Sequence, residues 1–402
     1  MPRCANTALN ITTYIAGRNQ ATHPNVVSFR EPWHGYRFYM AYTTYPYANG
    51  SEENPCLAAS NDLLHWEKPS GLVNPVACCE ETECDELKDT HLLYNEVTEK
   101  LEIWYLGRIA STQESEGPLY CFRKTSSDGI QWSPRETMFC FDGFNLASET
   151  VLFDKDTGYR FWGIRNSDEE KGLFYKESLN GYDWSAYKKC TIPDCNQTDI
   201  WHGTVTIIDG LYYFVWVGKS GVQKNRIYLS TSSDGIVFSG PKQILQNDTG
   251  WAFLYRPVLI REEGLFYCFY GVVRKDGKWL IALSAGKTLD TLEGVFIQDP
   301  SFTLKERISS TPKMQVKSIL NKLRQAFVPR MSPLALLSLL LQLIFKSTAV
   351  NLFCSILIAT AVCRAFISKE NCLRTGAVMG TLCSSISLLM IQITIEMIHF
   401  FE

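Results

Sequence analysis

Along residues 23–298 the apolar and aromatic positions fall into short runs separated by turn residues, a pattern that predicts strands and not helices. An aromatic-rich run occurs five times, at Tyr36 to Tyr42, Leu101 to Leu106, Tyr159 to Ile164, Leu211 to Val217 and Leu265 to Val272. Ahead of each lies a run that carries a pair of adjacent strand-forming residues: Val26-Val27, Leu92-Leu93, Val151-Leu152, Val205-Thr206 and Val258-Leu259. Behind it comes a third run, such as Pro118 to Lys124 or Arg226 to Thr231.

Four of these third runs lead into one heptapeptide. Its copies begin at Ser60, Ser126, Ser178 and Ser232 and close on Trp66, Trp132, Trp184 and Phe238, in steps of 66, 52 and 54 residues. Its centre is Asp-Gly or Asn-Gly in three copies, a strong turn signal, because Gly accepts positive φ and the polar side chain caps the turn. The fifth repeat, ending near Ser284-Ala285-Gly286, lacks it, as terminal repeats often do.

Repeats of about 50 residues with three or four strands predict an all-β, five-bladed β-propeller over 23–298, its first strands lining a central channel. A pair of β-sandwiches is the competing arrangement, but it needs no such period. The opening segment, 1–22, is expected to supply a closing strand. It has no apolar core of the signal-peptide kind.

The pattern changes after residue 298. Residues 299–331 are Lys-rich and lack Gly, which suggests a basic linker entering a helix. Within 332–402, Ser347 to Cys363 and Thr375 to Ile395 are almost wholly apolar, each close to the ~20 residues of a membrane-crossing helix. Pro333 to Phe345 is shorter and suits an interfacial helix. The expectation is a helical transmembrane tail and a membrane-associated protein that contacts lipid. A buried helical hairpin is the alternative. Basic residues before the first apolar run slightly favour a cytoplasmic body.

Composition sharpens this division. The net charge of −3 is a cancellation between a body near −10 and a tail near +7, and all 10 Trp and 19 Tyr precede residue 303. No clustered basic excess in the body points to nucleic acid. Fourteen Cys include Cys78, Cys79 and Cys84 before the second repeat, without the usual zinc-ligand spacing, and no cofactor or metal motif is present. Cys190 and Cys195 could pair if the body is exported. Otherwise free thiols are expected. Asn-x-Ser/Thr triplets at Asn10, Asn49, Asn196 and Asn247 carry no weight without a secretory route.

If the repeats superpose on their residue pairs, the residues just ahead of each pair converge on the axis. They are His23, Asp89, Ser148 with Glu149, His202, and Tyr255 with Arg256. Paired carboxylates across a funnel suit glycosidic cleavage, with Arg and His to orient hydroxyls and tune the acid. For Asp89 and Glu149 the plainer alternative is turn capping or an ion pair with Arg256. Trp33, Trp201 and Trp251 lie near strand starts and could stack on sugar, or simply pack between blades.

The repeat count, the Ser-x-Asp-Gly-x-x-Trp turns and the acidic strand starts resemble the five-bladed propeller glycoside hydrolases, families 43 and 32. Met40-Ala41-Tyr42-Thr43, Glu53-Asn54-Pro55 and Ala59-Ser60-Asn61-Asp62 are similar to propellers of this superfamily from bacteria and their phages. The resemblance implies Glu149 as general acid, Asp89 as the pKa modulator and His202 as an axial His. The family's first-blade Asp-Pro is His23-Pro24 here. An imidazole in the base position implies inversion of stereochemistry in any hydrolysis. The resulting expectation is a carbohydrate-acting glycoside hydrolase-like propeller with Glu149, Asp89 and His23 catalytic and His202, Arg256, Trp33, Trp201 and Trp251 binding substrate. The alternative is a non-catalytic glycan-binding propeller anchored to a membrane.

Overall fold

A computed structural model describes residues 2–79, 84–109, 117–141, 143–166, 170–195 and 199–295. The linker, the apolar tail and Asn196 lie outside the described residues. Among those described, no helix is long and apolar enough to cross a membrane.

The described strands form five antiparallel sheets. Blade one is β1 (Ala21–Trp33), β2 (Tyr36–Thr44) and β3 (Pro55–Ser60). Blade two is β4 (Cys84–Asn95), β5 (Lys100–Ile109), β6 (Leu119–Ser126) and β7 (Glu136–Cys140). Blade three is β8 (Ala147–Asp154), β9 (Gly158–Asn166), β10 (Lys171–Ser178) and β11 (Lys188–Lys189). Blade four is β12 (Ile200–Ile208), β13 (Leu211–Gly218), β14 (Arg226–Ser232) and β15 (Lys242–Gln246). Blade five is β16 (Phe253–Glu262), β17 (Leu265–Val273), β18 (Trp279–Gly286) and β19 (Glu293–Gly294). The innermost strands touch in the cycle β1, β4, β8, β12, β16 and back to β1, so these strands form a closed five-bladed propeller.

The hydrophobic cores lie between blades. Tyr39 and Leu57 of blade one pack with Leu92 and Ile103 of blade two. Trp104 and Leu106 meet Phe161 and Phe174, and Trp162 and Tyr175 meet Phe214 and Trp216. Val215 and Leu229 meet Leu259 and Tyr270, and Phe269 returns to Phe38 and Met40. Each central strand is thereby covered on both faces. This is why the aromatic runs are nearly continuous where a half-exposed strand would alternate.

Each heptapeptide joins the third strand to the outer edge of its blade, and its serine ends that third strand. Asp128 Oδ1 accepts from the Ile130 and Gln131 amides, both at 2.8 Å, while Ser126 Oγ accepts from Gly129 N at 2.8 Å. Asn180 and Asp234 repeat this arrangement. Gly129, Gly181 and Gly235 have φ of 73°, 82° and 77°, and blade one places Leu63 there at 67°. Among the described residues blade one has three strands, with a bridge from Ala59 to Glu67 beyond the third. In blade five a short 3-10 turn, Leu289–Thr291, replaces the heptapeptide and is capped reciprocally by Thr288 and Thr291.

The opening segment forms no strand before Ala21. It latches the ring as coil instead. Arg3 N donates to Leu292 O and Leu9 N to Ile281 O, both in blade five. Cys4 and Ala5 fill the core between blades four and five, and Leu9 and Ile11 the core between blades five and one.

Candidate functional site

Every innermost strand carries a bulge near its start. The inner strand holds one residue more than its partner between Thr22 and Asn25, Lys88 and His91, Ala147 and Thr150, Ile200 and His202, and Tyr255 and Pro257. A bulge breaks the alternation of side chains and re-aims them. In blades one to three it uses a left-handed residue, with φ of 52° at His23, 49° at Asp89 and 55° at Ser148. Such a conformation is costly for a residue with a Cβ and concentrates at functional sites.

The re-aimed side chains meet one another across the axis. His23 Nδ1 is 2.8 Å from Thr43 Oγ1 and 3.1 Å from Glu53 Oε1, and its Nε2 faces Asp89 Oδ1 at 3.3 Å. Arg256 Nη1 donates to Asp89 Oδ1 at 2.8 Å and Nη2 donates to Glu149 O at 2.5 Å. Ser148 N donates to Asp89 Oδ2 at 2.9 Å. Ser148 Oγ lies 2.5 Å from His202 Nδ1, and Tyr255 Oη lies 2.7 Å from His202 Nε2. All five blades contribute.

Asp89 and Glu149 both reach Arg256 Nη1, at 2.8 and 4.0 Å, so their oxygens are closer than the ~9.5 Å upper end of glycosidase carboxyl pairs. Arg256 is fully buried.

This packing separates the two carboxyls electrostatically. Burial would raise Asp89, but the facing His23 ring, the Arg256 guanidinium and the Ser148 amide outweigh it and hold the group well below the usual carboxylate range. Burial drives Glu149 well above that range; Arg256 opposes this, while Asp89 adds to it. Among the described residues, neither Glu149 carboxyl oxygen has a hydrogen-bond partner. Burial pushes His202 down to about 3 against the pull of Asp89, leaving a neutral imidazole at neutral pH. The surroundings thus pull the two carboxyls in opposite directions, Asp89 toward its ionised form and Glu149 toward its protonated form, beside a neutral His202, a division that suits acid and base chemistry.

The same groups fit a cation. His23, Asp89 and His202 each offer one ligand atom, and these atoms all lie within 4.8 Å of one another. Among the described residues His23 Nε2 makes no hydrogen bond, and its other nitrogen rests against the Glu53 carboxylate, the outer support that metal-ligating imidazoles commonly have. His202 would release one of its two hydroxyl contacts to bind. Reading the sequence for metal motifs suggests none, because these ligands come from three blades and share no local spacing.

The structure thus brings His23, Asp89, Glu149, His202 and Arg256 together. Trp201 is beside them, its ring centroid 5.2 Å from that of His202 and 4.9 Å from that of Tyr255. The other two tryptophans make different contacts. Trp33 ends β1 ten residues beyond His23, roughly 30 Å along an extended strand. There it stacks on Phe29 at 5.3 Å and meets Tyr39. Trp251 donates from Nε1 to Ala5 O at 2.7 Å and holds the opening latch.

Sequence reasoning left Glu53, Ser148 and Tyr255 without roles. Glu53 comes from the β2–β3 connection, outside the register used to find the others. Its sequence signal is the segment Glu53-Asn54-Pro55, which resembles that of propellers of the superfamily. Trp279 and Tyr45 extend an aromatic wall from Tyr255, with centroids 4.9 Å apart at each step.

No family model matches the chain. It is 24% identical over 332 residues to the A type blood N-acetyl-alpha-D-galactosamine deacetylase of Flavonifractor plautii, covering 67% of this chain and 42% of that protein. The chain thus spans less than half the length of this relative. Among solved structures, an N-acetylgalactosamine deacetylase from F. plautii in complex with blood group B trisaccharide is similar, with a TM-score of 0.60 and 19% identity over 75% of this chain and 98% of that one. A thermostable family-43 glycoside hydrolase gives 0.52 and 13% over 74% and 99%. These likenesses show the five-bladed propeller fold.

Proposed function

We propose that the axial site is a hydrolytic centre for carbohydrate, and that it removes an acyl group from an amino sugar with a divalent cation held by His23, Asp89 and His202. The convergence of those three ligand atoms within 4.8 Å carries the reading. The name of the F. plautii relative agrees with it. A cation bound there would polarise the amide carbonyl as a Lewis acid and ease ionisation of water.

The chain's own residues supply the rest. Glu53 and Thr43 fix the His23 ring, so that Nε2 faces the site. Arg256 and the Ser148 amide keep Asp89 ionised and immobile. Glu149 carries the proton that the departing amine needs. Water and amide are thereby converted to a carboxylate and an amino sugar.

Glycosidic cleavage with inversion is the second reading, favoured by the separated protonation of Glu149 and Asp89 around Arg256. It lacks a carboxylate in blade one, where His23 stands. The decisive assay follows acetate and reducing sugar separately on N-acetylated amino-sugar oligosaccharides and aryl glycosides, with chelator and with Mn²⁺, Zn²⁺ or Mg²⁺ restored. Acetate release that chelation abolishes and metal restores supports deacylation. Release of reducing sugar, insensitive to chelator and lost in Glu149→Gln, moves the assignment to a glycosidase. Sugar binding without either product leaves a glycan-binding propeller.

Membrane attachment through the apolar runs of 332–402 belongs to the same proposal. It predicts that the full chain stays with membranes in alkaline carbonate. Complete release there refutes attachment.

A further inference from the structure

The body is acidic, but two connections on the site's face are not. Residues 219–226 hold Lys219, Lys224 and Arg226 with no Asp or Glu, and residues 274–278 hold Arg274, Lys275 and Lys278 against Asp276. They follow the second strands of blades four and five, at the same end as the axial cluster. Lys224 lies in the 3-10 turn Gly221–Asn225. Its Nζ is 5.3 Å from the Trp201 ring centroid and 5.4 Å from that of Phe253. Among the described residues it pairs with no carboxylate. Trp201 in turn touches His202. A cation is therefore held over two aromatic faces, one ring away from the reactive cluster.

The rings restrain the ammonium, so less side-chain freedom is lost when an anion binds. The locally positive lip on a negative body attracts anions to this side of the site. We infer that Lys224, with Trp201 and Phe253 beneath it, forms a subsite for an anionic group on the glycan, either a sulfate ester or a sugar carboxylate. This rests on the reading that the axial site takes carbohydrate. The lip selects which carbohydrate.

The test is calorimetric titration of the full chain with three oligosaccharides of one length: a neutral N-acetylgalactosamine-containing one, its O-sulfated form, and one with a uronic acid. Titrations are run at ~50 and ~300 mM salt, where surface charge is weakly and strongly screened. Lys224→Met is compared with wild type, its fold checked by thermal melting, with inorganic sulfate as control.

At low salt the anionic ligands should bind wild type roughly five- to tenfold tighter than the neutral one, as one ordered ion pair allows. The advantage should shrink at high salt and vanish in Lys224→Met, with neutral binding unchanged. A preference for sulfate over carboxylate, or the reverse, identifies the group. Equal affinity for neutral and anionic ligands, or a preference that survives Lys224→Met, overturns the subsite. Turnover of the neutral glycan alongside that result leaves the functional proposal standing. Salt-sensitive, Lys224-dependent anion binding with no turnover of any glycan supports the subsite and removes the hydrolytic reading. Absence of binding by every oligosaccharide overturns both.

Discussion

Replacing Arg256 tests the electrostatic design of the site. The guanidinium is fully buried and is shared between Asp89 Oδ1 at 2.8 Å and Glu149 O at 2.5 Å, with Glu149 Oε2 at 4.0 Å. Arg256→Met keeps most of the length and apolar stem but leaves Asp89 ionised without its strongest donor. Removing one partner of a buried pair costs about 3–5 kcal/mol, because the remaining charge stays desolvated. Asp89→Asn also loses the pair, but it leaves an amide that His23 and the Ser148 amide can still approach. In Arg256→Met/Asp89→Asn no uncompensated charge remains, so the two losses should not add. Urea unfolding of wild type, both single variants and the double variant gives the coupling directly. A coupling of about 2 kcal/mol or more is expected for groups in direct contact. Additivity within ~0.5 kcal/mol would refute the claim that Arg256 stabilises the fold through Asp89.

Three further outcomes follow from the fold. Asp234→Ala removes the acceptor of two backbone amides at 2.8 and 2.9 Å and should cost about 0.5–2 kcal/mol, read as a lower urea midpoint. Because backbone amides hold Asp234 and Asp128 below the ordinary Asp value, their turns contribute fully above pH ~4, and that contribution fades as pH falls through the lower folded values. Acid titration of Asp234→Ala should therefore show a shallower loss of stability than wild type, and an unchanged slope would count against the turns. A Cβ at Gly294 would stand 2.3 Å from Ala5 Cα, so Gly294→Ala should displace the opening latch and speed limited proteolysis within residues 2–20. Trp201→Ala should weaken oligosaccharide binding at least fivefold, about 1 kcal/mol, whereas Trp33→Ala should lower stability and leave binding intact. Equal effects of the two on binding would mean that the site has been placed at the wrong end of the strands.

The blade count and the axial candidates are legible in the sequence because a blade is a local unit. Strand, hairpin and heptapeptide turn all lie within about 50 residues, and each writes its own period into the chain. The same register leads to His23, Asp89, Glu149, His202 and Arg256. It does not say what they do together. Arg256 and Asp89 are 167 residues apart, and His202 meets Ser148 across 54, so their contacts depend on ring closure. Glu53 reaches His23 from a connection that carries no repeat signal. Trp33 and Trp201 show the limit most plainly. Both belong to innermost strands, but one ends its strand and the other lies at the bulge near the start, so one packs between blades and the other faces the site. Local pattern determined which segments become strands and how often they repeat. Only the closed ring, with a bulge re-aiming side chains in each innermost strand, decided that imidazoles and carboxylate from separate blades come within reach of a single ion.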